Sequence, residues 1–116
     1  LETRYIMKQY VIDELRPDDH HKVQHYLDEH YGPAEMGSIY WRPLTADVLT
    51  EIQQQHVDCQ PFYVAIELRE NQLALELLVR TKCQVRCACI GYADKYQRSW
   101  MMNLVDAIFK RLDVMI

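Results

Sequence analysis

Apolar and polar positions alternate most strictly from Phe62 to Arg69, where Phe62, Val64, Ile66 and Leu68 interleave with Tyr63, Ala65, Glu67 and Arg69. Period two predicts a half-buried strand. A two-residue turn at Asn71-Gln72 then pairs residues whose numbers sum to 143, setting Leu68 against Leu75, Ile66 against Leu77 and Val64 against Val79. The same odd parity carries on through Val79, Thr81, Cys83, Val85, Cys87 and Cys89. Either a three-residue loop at Lys82-Cys83-Gln84 or one long bent strand from Leu73 to Ile90 preserves it. A two-residue loop would turn Gln84 and Arg86 inward and is rejected. Gly91 breaks the strand.

The remaining elements follow from periodicity and punctuation. Tyr5 to Leu15, centred on Tyr10-Val11-Ile12, reads as a strand. Pro17-Asp18-Asp19 opens a helix that Gly32-Pro33 ends after Tyr31, with Val23, Tyr26, Leu27, His30 and Tyr31 on its inner face and His20 on the flank. Ser38 to Arg42 is a short strand closed by Pro43. Thr45 caps a second helix through about Asp58, its inner arc holding Val48, Leu49, Ile52, His56 and Cys59. Asp94 and Gln97 form a capping-box pair opening the last helix, whose core face is Trp100, Met101, Leu104, Ile108, Leu112 and Met115; Met102 and Phe109 lie round its side. The order β-α-β-α-β-β-β-α predicts an α+β fold: a mainly antiparallel sheet of four to five strands with three helices packed on one face, the first two strands running parallel through the first helix.

Composition narrows the function more than it names it. The chain has 116 residues, enough for one domain spanning 1–116, and its 49% hydrophobic and 26% charged content is that of a folded protein. Met7-Lys8-Gln9-Tyr10 reads as a natural start, making 1–6 an upstream extension. Three glycines and two serines exclude most phosphate-cradling loops and a serine-nucleophile elbow. The net charge of −4 divides into −6 over the first sixty residues and +2 over the rest, so nucleic acid is not an expected partner. No stretch suits a membrane span or a secretory signal, which predicts a cytoplasmic protein with its four cysteines reduced.

Several constellations compete for chemistry. Cys83, Cys87 and Cys89 invite a metal, but on one strand face they differ from the turn-borne knuckles of zinc sites, so they are read as buried thiols and no metal or cofactor is assigned. His21, His25 and Glu29 repeat at helical spacing on a solvated face. His56 and Cys59 suggest a nucleophile pair, yet a helix C-terminus raises a thiol's pKa, and no catalytic residue is assigned. The expected register sets Glu67 opposite Glu76, Tyr63 opposite Arg80 and Arg80 opposite Arg86. Tyr63, Arg80 and Arg86 thereby form a face for a small anionic ligand or an acidic protein. Tyr40, Trp41 and Arg42, with Met102 and Phe109, are the expected interaction surface. The reading is a non-enzymatic interaction or accessory module acting as a homodimer. Its alternatives are a ligand-, anion- or metal-responsive regulator and a small enzyme using a Glu pair or a Cys/His pair.

Overall fold

The computed structural model describes residues 8–81 and 87–114. The expected 1–6 extension, the Lys82-Cys83-Gln84 loop, Arg86 and Met115 lie outside the described residues. The elements are β1 (Gln9–Ile12), α1 (Pro17–Tyr31), β2 (Ile39–Pro43), α2 (Glu51–Gln55), β3 (Phe62–Leu68), β4 (Leu73–Glu76), β5 (Leu78–Thr81), β6 (Gly91–Tyr92) and α3 (Lys95–Arg111); short 3₁₀ turns at Ala46–Val48 and Val57–Cys59 flank α2. The α+β class is as expected.

All the described strand pairings are antiparallel. β3 is central, pairing with β2 on one edge and with β4 and then β5 on the other; β1 lies outside β4, and β6 outside β5. β1 and β2 therefore sit at opposite edges and run antiparallel, not parallel as expected.

One row of inward side chains crosses the sheet in the order Tyr40, Ile66, Leu75, Tyr10. The tyrosines at its ends reach the two long helices. Tyr40 donates to Asp28 on α1 at 2.5 Å, and Tyr10 donates to Asp106 on α3 at 2.7 Å. Both helices thus cover one face of the sheet, enclosing Val23 and Leu27 of α1 and Met101, Val105 and Phe109 of α3 together with Phe62, Val64, Ile66 and Leu75.

The hairpin keeps its faces but not its expected register. Four residues, Arg69 to Gln72, form the turn, closed by Arg69 N–H to the Gln72 carbonyl at 2.8 Å, and Leu68 opposes Leu73. Pair numbers therefore sum to 141 near the turn, yet Tyr63 opposes Arg80 as expected, at 143. Two extra residues enter around Leu77, whose N–H goes to the Lys8 carbonyl and whose carbonyl accepts from Ala93. Because the slip is two, Leu73, Leu75, Leu77 and Val79 all remain buried. Glu67 consequently opposes Ala74 while Glu76 opposes Gln9, and the expected carboxylate pair does not form.

Two helical expectations also change. The helix expected from Thr45 to Asp58 breaks at Thr50, which with Gln53 forms its own capping box, and again at His56, whose φ of −89° and ψ of 67° leave helical space. The inner face of α3 turns toward Val105 and Phe109, because Gln97 is buried and draws the helix round; Trp100, Leu104 and Leu112 move to its edge. Phe109 is wholly buried and Tyr40 nearly so, which removes both from the expected interaction surface.

Candidate metal centre

The two breaks in the expected elements bring four metal-ligating side chains together. His56 and Cys59 occupy the 3₁₀ turn after α2, closed by Cys59 N–H to the His56 carbonyl at 3.0 Å. Cys87 and Cys89 occupy a tight turn before β6, closed by Ile90 N–H to the Cys87 carbonyl at 3.0 Å. One ligand atom from each residue lies within 4.8 Å of all the others. His56 Nδ1 is 3.1 Å from Cys87 Sγ, and the Cys59 and Cys87 sulfurs are 3.9 Å apart. Two sulfurs bound at about 2.3 Å to a tetrahedral ion stand about 3.8 Å apart, so the cluster already approaches the spacing of a Cys₃His zinc site.

Polar side chains fix both turns from behind. Gln53 Nε2 donates to the Cys89 carbonyl at 3.1 Å, and the Thr81 hydroxyl donates to the Cys59 carbonyl. Gln53 Oε1 in turn accepts from Gln97 Nε2 at 2.9 Å, and that same amide also reaches the Val48 carbonyl. Each glutamine serves its own capping box as well, with Thr50 or Asp94. The relay holds the backbone of the two ligand-bearing turns rather than the ligand atoms themselves. Gln53 and Gln97 are both buried.

The thiols differ electrostatically. Cys87 is drawn down to about 6, chiefly by hydrogen bonds from the Cys89 side chain and then its backbone, which outweigh the cost of burial; His56 and Cys59 add smaller contributions. Cys89 is pushed up to about 12, first by its burial and then by its place beside Cys87 and Cys59. Cys87 and Cys89 are thus pulled in opposite directions by the hydrogen bond they share. A divalent ion would draw off the remaining protons on binding. His56 and Cys87 line an open cleft of about 350 Å³ bounded also by Gln55, Val57, Asp58 and Cys59.

The other sequence-predicted site residues lie elsewhere on the fold. Trp41 is half-buried on the sheet face away from the helices, its indole N–H bonded to Glu35 and its ring edge-on to Tyr63 at 6.5 Å. The Arg42 guanidinium lies 5.6 Å from the Tyr31 ring centre and 5.2 Å from that of Trp100, with its Nε buried and unpartnered. It ties β2 to both helices. Met102 is half-buried. Arg80 opposes Tyr63, but its Nε is engaged by Glu76 at 2.8 Å. His30, expected inside, is exposed and stacked on Tyr26 at 3.9 Å. His21, His25 and Glu29 remain on a shallow exposed surface where His25 and Glu29 are 3.8 Å apart.

In sequence, His56/Cys59 and the cysteine run stand apart, and alternation puts the cysteines on a strand, unlike a zinc knuckle; in the fold Cys87 and Cys89 sit on a turn. The available signals were the short H-x₂-C and C-x-C spacings, each beside a chain break, Pro61 in one case and Gly91 in the other. No family model, curated protein or solved structure matches the chain.

Proposed function

We propose that this chain is a non-enzymatic metal-binding domain that holds one zinc ion through His56 Nδ1 and the sulfurs of Cys59, Cys87 and Cys89. The observation that carries the reading is the convergence of these four ligand atoms within 4.8 Å from two turns far apart in sequence. Three thiolates and an imidazole suit a borderline-soft divalent ion, and four protein ligands leave no open position for a substrate, which favours a structural or regulatory ion over a hydrolytic one. A reducing, cytoplasmic setting keeps such thiols free to bind. Among the described residues no helix is long and apolar enough to cross a membrane.

The test is metal content after purification with zinc and without chelator. One zinc per chain, lost in Cys59→Ser and Cys89→Ser, is expected; cobalt substitution should give the visible bands of a tetrahedral thiolate site. Full-length protein that takes up neither ion while folded sinks the reading.

A second reading, the self-associating interaction module, draws on the uncovered sheet face. Ile39, Trp41, Tyr63 and Ala65 are half-buried there, and Val11 at its edge is 41% exposed. Trp41→Glu should shift a dimer to monomer in sedimentation; an unchanged mass removes this face from consideration.

A further inference from the structure

The four ligands are not equally enclosed. All but Cys89 border the open cleft, but Cys59 and Cys89 are only 3% and 2% exposed, whereas His56 and Cys87, one from each turn, are half-buried and form its accessible wall. An ion whose ligands are all shielded leaves only when the fold opens, whereas a half-exposed ligand gives an entering group direct access to the ion. Here the backbones of the buried pair are held, Cys89 by Gln53 and Cys59 by Thr81, while the half-exposed pair faces solvent.

Resting on the metal-binding reading above, we infer that the ion is exchangeable cargo, passed through the cleft at Cys87 to an acceptor protein that presents thiolates. The step is ligand substitution with no change of oxidation state. An acceptor thiolate enters through the cleft and its sulfur forms a bond to the ion; the bond from the ion to Cys87 Sγ breaks and Cys87 leaves as a thiolate, so charge and protons balance within the exchange. Cys59 and Cys89 keep the ion until further acceptor ligands arrive. Those later ligands replace His56 and then the buried pair. The cleft, at about 350 Å³, admits a side chain or a small chelator without unfolding.

The experiment mixes the zinc-loaded full chain, kept anaerobic, with rising concentrations of the chelating dye 4-(2-pyridylazo)resorcinol, following zinc transfer by absorbance and the fold by circular dichroism. Attack through the cleft makes release first order in chelator, roughly tenfold faster for tenfold more dye, and well ahead of any global unfolding. Cys87→Ser, with a weaker ligand at the point of attack, should release faster than the parent, whereas Thr81→Val, behind the buried pair, should keep the chelator dependence. A release rate that ignores chelator concentration and equals the unfolding rate overturns the inference and leaves the zinc site standing as a locked structural centre. A folded chain that retains no zinc overturns both.

Discussion

The side-chain amide of Gln53 donates to the backbone carbonyl of Cys89 at 3.1 Å across 36 positions of sequence. The contact joins the capping box of one helix to a turn bearing two of the four candidate ligands, and through Gln97 it extends to the start of α3. Replacing Gln53 with Ala leaves the Cys89 carbonyl and one Gln97 contact without partners in a dry site. A loss of about 1 to 3 kcal/mol is expected in urea unfolding of the metal-free protein. With zinc bound, affinity should also fall about 10- to 100-fold, as for other residues that orient a ligating segment. A midpoint and an affinity both equal to those of the parent would show that the relay holds nothing.

Tyr40 gives the fold a pH limit. Burial first, and then its bond to Asp28, push its hydroxyl from 10.0 up to about 12. The folded chain holds this proton more tightly than the unfolded chain does, so the contribution is complete below about pH 10 and is lost as pH rises toward 12. Urea midpoints of the parent should therefore fall more steeply over that interval than those of Tyr40→Phe. Parallel curves would contradict the assignment.

Phe109 and Met102 separate core from surface on α3. Phe109 is wholly buried, so Phe109→Ala should cost about 3 to 5 kcal/mol by calorimetry or denaturant titration, and Phe109→Glu should abolish folding. Met102→Glu, at a half-buried edge position, should leave the fold intact. If Phe109→Glu instead stays folded and only changes oligomeric state, the packing of α3 described above is wrong.

Gly32 is required by space. A Cβ placed there would stand 2.4 Å from the Asp28 carbonyl oxygen, which already accepts the Gly32 N–H at 3.2 Å. The obstacle is helix backbone and cannot swing aside. Gly32→Ala should lower the melting temperature, and because Asp28 also anchors Tyr40, it should weaken the high-pH term as well. An unchanged melting temperature would mean that the helix end relaxes freely.

Most of the scaffold was legible because it depends on local signals. Pro17 and the Gly32-Pro33 pair mark both ends of α1 at the observed residues, and the alternation from Phe62 to Leu68 marks β3 and its inward face. The Asp94/Gln97 box announced α3. The centre was not legible, because its geometry follows from where elements stop. Thr50 and Gln53 start afresh what periodicity alone joins into a single helix, and the non-helical φ and ψ of His56 then end it, releasing His56 and Cys59 into a turn. Parity along Val79, Thr81, Cys87 and Cys89 suited a strand equally well, since alternation carries no information about a turn that happens to keep it. The α3 face was misjudged because buried Gln97 counts as polar in a helical wheel, although hydrogen bonds to Gln53 and Val48 satisfy its amide.

The break at Leu77 also determines which changes of length the hairpin tolerates. Its surplus over β3 is two residues, an even number, and Leu77 uses its freed backbone groups to fasten the segments at Lys8 and Ala93. Removing one residue between Leu75 and Arg80 would rotate everything beyond it by half a pleat, carrying Val79 and Thr81 out to solvent and Arg80 into the core. Removing two would restore an unbroken ladder, but with Leu77 drawn into it, Lys8 and Ala93 would lose their partner. Drift in chain length at this point is therefore confined to steps of two, and even those loosen the grip of the sheet on β1 and β6.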